Sequence, residues 1–132
     1  MTTVANATVS IEPVTLHADA RGAVFEPLDA AALAEQRNTH VVISHPGAIR
    51  GNHRHARGHE ITVVVGPAVV RYREQGLLQE KIVAANEAIR FRFPPGVPHA
   101  FQNPGPGLML LASFNTEEHD QAAPDVERDP LF

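Results

Sequence analysis

No cysteine occurs among the 132 residues. Disulfides, thiolate metal sites, iron–sulfur clusters and cysteine nucleophiles are thereby excluded, so any metal must be held by imidazole and carboxylate. Lysine is nearly missing too: it occurs once, at Lys81, and the other ten basic residues are arginine. The guanidinium fork suits bidentate capture of carboxylate or phosphate, but the same bias accompanies GC-rich genomes and assigns no function by itself. Eleven basic residues against fifteen acidic ones give a formal charge of -4 with no basic run, which argues against nucleic acid as a partner. Apolar runs extend only a few residues, too short for a membrane span. The opening MTTVANATVS has no basic region followed by an apolar one, so no signal peptide is expected and the expected location is cytoplasmic.

The length fits one domain over 1–132, able to bury roughly two thirds of the surface its unfolded form exposes. One segment reads as helical, Leu28 to Arg37, alanine-rich with Asp29 as N-cap. The rest reads as strands: Val9–Glu12, Ala23–Glu26, His40–Ser44, Glu60–Val65, Val69–Glu74, Leu77–Ala84, Ala88–Phe93, His99–Gln102 and Leu108–Phe114. Alternation is clearest in AIRFRF, where Ile89, Phe91 and Phe93 share one face and Arg90 and Arg92 the other. Gly, Pro and Asn separate the runs in HPGAIRGN, VGPA, REQG, AANEA, PPGVP and NPGPG. Eight or nine short strands so spaced indicate an antiparallel sandwich or barrel. Its core is expected at about 38–115, with N-terminal strands over 8–27. The polar stretch 116–132 is expected to extend, to pack on a partner subunit or to fray.

Chemistry concentrates in RGNHRHARGHE, Arg50 to Glu60. His53 and His55 are two apart, so an extended backbone points both imidazoles to one side and Arg54 to the other. Gly58 lets the chain turn and return Glu60 toward the pair. His59 is adjacent, and strand alternation lets only one of the two face inward. PPGVPHAFQN then delivers His99 after a rigid turn and ends at Asn103. His17, His40, His45 and His119 fit no pattern and read as surface or packing residues.

These residues resemble the cupin superfamily, the jelly-roll group that includes RmlC-like enzymes. GX5HXHX4EX5G runs from Gly47 to Gly66, one residue shorter at its end than usual, and PXGX2HX3N is complete from Pro94 to Asn103. Ala88 stands where the second motif normally begins with glycine. The resemblance implies a single-domain all-β double-stranded β-helix with one short helix. It also implies one divalent ion (zinc, iron, manganese or nickel) held by His53, His55, Glu60 and His99. An N3O set suits such metals and leaves coordination positions open.

DARGAVFEP at Asp19–Pro27 and IRGNHRH at Ile49–His55 are more particular. They are similar to cupins acting on nucleotide-linked 4-keto-6-deoxy sugars, especially the metal-binding C-terminal domain of the capsular-polysaccharide reductase and the 3,4-ketoisomerases. The implied reaction is epimerisation or isomerisation of a carbonyl sugar by proton removal next to the ketone. In related metal-free epimerases a histidine is the base and a tyrosine the acid, which nominates His53 and Tyr72, the only tyrosine. A metal-bound His53 could not readily serve as base as well, and Tyr72 reads equally as a wall residue. Arg50, Arg21, Asn52 and Gln102 are the candidate substrate-binding residues, with Arg50 and Arg21 suited to a pyrophosphate or to ion pairs with Glu12, Glu26 or Asp19. An iron-dependent dioxygenase and a non-catalytic module that binds a small ligand or metal are the competing readings. A homodimer is expected, because exposed edge strands of small β domains are commonly covered by pairing.

Overall fold

Residues 8–132 are described by a computed structural model and contain twelve strands and one helix. In chain order they are β1 (Ser10–Val14), β2 (His17–Asp19), β3 (Gly22–Val24), α1 (Ala30–Ala34), β4 (Asn38–Ser44), β5 (Ile49–His55), β6 (Glu60–Val65), β7 (Ala68–Glu74), β8 (Leu77–Val83), β9 (Ala88–Phe93), β10 (His99–Gln102), β11 (Met109–Asn115) and β12 (Val126–Arg128). The reading of the first ten residues as free of a leader falls mostly on 1–7, outside the described residues. Among the described residues no helix is long and apolar enough to cross a membrane.

Two five-stranded antiparallel sheets, ordered β1-β9-β6-β11-β4 and β12-β5-β10-β7-β8, form the layers of a jelly roll. Their inner faces enclose Val64, Val70, Phe91, Phe93, Phe101, Met109 and Leu111, all buried. Alternation produces this core. In β9 the faces separate as AIRFRF requires, with Phe91 and Phe93 stacked inside at 5.8 Å and Arg90 outside, its Nε donating to the Pro27 carbonyl at 2.9 Å. Truncating Phe91 to alanine would cost about 3–5 kcal/mol. A smaller cluster on the outer face of the first sheet joins Val63, Ala88 and Ala112 to Val14, Leu16 and Phe25 of the N-terminal segment.

Polarity changes along the inner faces. In β6 the inward residues run Glu60, Thr62, Val64, and in β11 they run Asn115, Ser113, Leu111, Met109. The two strands pair antiparallel, with Asn115 opposite Glu60, so their polar ends coincide. One end of the barrel is therefore apolar and closed, and the other carries hydrogen-bonding groups.

Four elements differ from the sequence reading, the first being Ile49–His55, which reads in part as a turn in HPGAIRGN but forms strand β5. The helix is half the expected length: Asp29 caps it by accepting from the Ala32 N–H at 2.8 Å, but the Arg37 N–H donates to the Asn115 carbonyl and pulls the chain into β4. The segment around Ala23 is the second arm of a β2–β3 hairpin whose first arm the sequence did not reveal. The tail neither frays nor projects: β12 adds to β5 as an edge strand and Leu131 is buried.

Candidate metal centre

His53 and His99 face each other as register partners on β5 and β10. His55 lies two residues along β5, and Glu60 opens β6 in the opposite sheet. The four ligand atoms all lie within 4.8 Å of one another, so the cluster bridges both layers of the barrel. Glu60 Oε1 is 2.8 Å from His55 Nε2, 3.0 Å from His99 Nε2 and 3.7 Å from His53 Nε2. Its other oxygen accepts from Thr62 Oγ1 at 2.7 Å, and Thr62 in turn meets Ser113 Oγ at 2.9 Å. The polar pair thus fixes one carboxylate oxygen and presents the other to the imidazoles. His59 stays outside this group, as alternation requires once Glu60 faces inward.

The rings are positioned by their surroundings. His99 Nδ1 donates to the Val97 carbonyl at 2.9 Å, which keeps that proton away from Nε2 and leaves Nε2 toward the cluster. Phe93 stacks on the same ring at 4.2 Å and 6°. Burial alone would raise the Glu60 carboxyl, but His99 and the imidazoles of His53 and His55 close around it hold it well below the usual carboxylate range.

A β-bulge explains how Arg50 reaches the same space. The β5–β10 register runs His99 to His53 and then Ala100 to Gly51, leaving Asn52 as the extra residue. Strict alternation would turn Arg50 away from His53 and His55, whereas the bulge returns it inward. Gly51 and Asn52 both take positive φ, 83° and 58°, as a bulge of this kind demands.

The cluster opens on a cavity of about 460 Å³ lined by His53, His55, Glu60 and Arg50 with Val42, Phe101, Leu111, Phe114 and the segment after β11. That volume suits a compact small molecule. His53 is the most exposed ligand, 27% against 1% for His99, and is the one that meets the guest space. His53 Nε2 is buried without a hydrogen-bond partner. An inward-facing nitrogen left without a partner beside an N3O donor set fits a divalent ion.

The remaining candidates separate. Arg50 lines the cavity, its Nε donating to Ser44 Oγ at 2.8 Å. Asn52 does not. As the extra residue of the bulge it faces outward, where its Oδ1 accepts from the Leu131 and Phe132 N–H groups at 2.9 and 3.3 Å. Arg21 sits in the β2–β3 turn, exposed and paired with Asp19 at 2.6 Å, and Gln102 is half-buried on β10 away from the cavity lining. Tyr72 lies opposite His99 in register but one strand further from β5. It packs against Phe93 at 6.1 Å and contributes nothing to the cavity wall. His40 and His119, read from the sequence as surface or packing residues, both line the cavity. For His40 the signal was available, since it shares a face of β4 with Val42. For His119 it was not, because its place depends on how the tail folds back.

Fold and site together define an RmlC-like cupin with a candidate metal centre. Residues 17–127 match the sequence family described as Polysaccharide biosynthesis C-terminal domain, and the chain belongs to that family. A search of curated protein sequences gives no match. Among solved structures, the capsular polysaccharide assembling protein CapF from Staphylococcus aureus is 27% identical with a TM-score of 0.66, covering 90% of this chain. This chain spans only 33% of that protein's length. A dTDP sugar isomerase from Desulfovibrio desulfuricans is similar at 19% identity and TM-score 0.74, with 92% of this chain and 83% of that one covered. ChmJ, a 3'-monoepimerase from Streptomyces bikiniensis in complex with dTDP-quinovose, is similar at 17% and 0.72, with 91% and 68% covered. At these identities the last two define the fold alone.

Proposed function

We propose that this domain binds one divalent metal through His53, His55, Glu60 and His99 and epimerises or isomerises a carbonyl sugar of the 4-keto-6-deoxy type carried on a nucleotide. The observation that carries the reading is the N3O cluster opening directly onto a cavity of sugar size with Arg50 in its wall. A divalent ion held there would polarise a carbonyl oxygen and stabilise the negative charge that develops when the neighbouring C–H loses its proton.

The chain's own residues supply the rest. His53, as a ligand, is not free to act as base. A ring nitrogen outside the cluster takes the proton, and the enolate is reprotonated by the same imidazolium or, where configuration inverts, by a donor on the other face; His40 and His119 are the cavity's two unliganded imidazoles. In this reading Tyr72, one strand beyond His99 from β5 and outside the cavity lining, takes no part in proton transfer. Arg50 uses one donor on Ser44 and keeps the remaining N–H groups for an anionic part of the substrate. Phe101, Leu111 and Phe114 restrict water around the reacting carbon.

A cytoplasmic, homodimeric enzyme completes the proposal. Pairing is supported by edge strand β4, whose outward Val41 and Ile43 are 63% and 58% exposed. Incubating the zinc-loaded protein in D2O with nucleotide-linked 4-keto-6-deoxy sugars tests the activity. Deuterium appearing at the carbon next to the ketone supports it, and absence of exchange across the panel by protein with a full metal equivalent rejects it in favour of a binding module.

A further inference from the structure

We infer that Asp125, on the segment leading into β12, is a positioning residue for the metal centre, holding the imidazole of His55 and the turn that joins His55 to Glu60. The inference rests on the metal reading above. It starts from a loop that cannot hold itself. Ala56 to His59 must reverse the chain in four residues so that two ligands at its ends converge, and the loop's own N–H groups turn outward. Asp125 takes three of them. Its carbonyl accepts from the Ala56 N–H at 2.8 Å, Oδ1 from the Arg57 N–H at 2.8 Å and Oδ2 from the Gly58 N–H at 2.9 Å. The fit leaves no room for a side chain at Gly58, where a Cβ would fall 2.2 Å from Asn115 Oδ1 and 2.9 Å from Asp125 Oδ2.

The same carboxylate faces the ligand. Asp125 Oδ2 lies 3.5 Å from His55 Nδ1, and that nitrogen is otherwise buried without a hydrogen-bond partner. An imidazole that offers Nε2 as a ligand carries its proton on Nδ1, so this carboxylate is the acceptor within reach. Carboxylates so placed behind a ligating histidine fix its tautomer and orientation, and their loss commonly weakens metal binding 10–100-fold. Pairing of Val126 with His55 across β12 and β5 sets the distance. On the outer face Arg54 clamps the strap, pairing with Glu127 and Asp129 at 2.6 Å each. The tail, expected to fray or seek a partner, thus becomes part of the metal site.

The test compares zinc affinity, by competition with a chromophoric chelator, for the wild type, Asp125→Asn and Arg54→Ala. The amide is nearly isosteric but presents a donor where His55 Nδ1–H needs an acceptor. About 10–100-fold weaker affinity in Asp125→Asn is expected, while Arg54→Ala, which loosens the strap from outside and leaves the carboxylate in place, loses less than that. In zinc-loaded protein labelled with 15N, the His55 Nδ1–H resonance should be slow to exchange in the wild type and broadened or lost in Asp125→Asn. Asp125→Ser, too short to reach the ring and able to accept from at most one loop amide, replaces the first variant should that one not fold. Equal zinc affinity and an unchanged resonance in the variant overturn the inference with the metal reading intact. A wild type that takes up no zinc overturns both.

Discussion

A Cβ added to Gly51 would lie 2.8 Å from the carbonyl oxygen of His99. β5 and β10 approach this closely at the bulge, where the backbone of one candidate ligand touches the residue whose bulge turns Arg50 inward. With φ at 83°, Gly51→Ala meets both strain and collision, and a cost of roughly 1–3 kcal/mol is expected. Urea unfolding of metal-free protein measures it, and an unchanged midpoint would contradict the close approach.

Asn52 plays its part through its side chain and through its backbone, and two substitutions separate them. Asn52→Gly keeps the positive φ easy but removes the acceptor for Leu131 and Phe132, so a loss of about 1 kcal/mol and faster amide exchange in the tail are expected. Asn52→Ala should lose about 1 kcal/mol more for the left-handed backbone. Were both variants as stable as the wild type, the tail would be held by other contacts.

Ligand deletion bears on the centre itself. His53→Ala and His99→Ala are each expected to lower bound zinc to well under one equivalent after dialysis, as measured by mass spectrometry. His99→Ala should be the more destabilising, by roughly 2–4 kcal/mol, because it also removes the ring stacked on Phe93. Full metal stoichiometry in both would defeat the assignment.

The pH dependence has a definite sign. Glu60 is held well below the usual carboxylate range in the folded protein, so what its charge contributes is present above the unfolded value near ~4.3 and is lost only as pH falls through the lower, folded value. The window of about pH 7.5 to 5.5 lies above that range. Metal uptake by imidazoles releases protons, and free imidazole titrates near ~6.5. Zinc affinity should therefore fall steadily across this window, and chelator competition at pH 5.5 and 7.5 measures it. Equal affinity at both values would speak against imidazole ligation.

Self-association, if it uses β4, should respond to charge. Val41→Lys with Ile43→Lys is expected to shift sedimentation from dimer to monomer while zinc stoichiometry stays unchanged. A wild type that sediments as a monomer at tens of micromolar rejects the homodimer.

The sequence made the barrel legible because its signals were local. AIRFRF declared its faces, the Gly- and Pro-rich turns declared most of its corners, and the family resemblance carried by the two histidine motifs implied His53, His55, Glu60 and His99, which now stand within 4.8 Å of one another. What stayed hidden depended on events far along the chain. Asn52 reads as a site residue because its neighbours are, although alternation already sets it opposite His53, and as the extra residue of the bulge it stays outward, on the tail. Tyr72 lies on the inward face of β7, but strand order puts β10 between it and β5. His119 and Asp125 belong to a stretch with no periodicity, and no local pattern shows that it folds back over the mouth.

The change from hydrogen-bonding to apolar residues along β6 and β11 limits how this scaffold can be redesigned. Replacements at Leu111 or Val64 would excavate the dry floor and lower melting temperature before they admitted a bulkier guest. The lip formed by Glu117 and Glu118 borders the same chamber without supporting the packed interior. Libraries aimed at altered selectivity therefore belong at the rim.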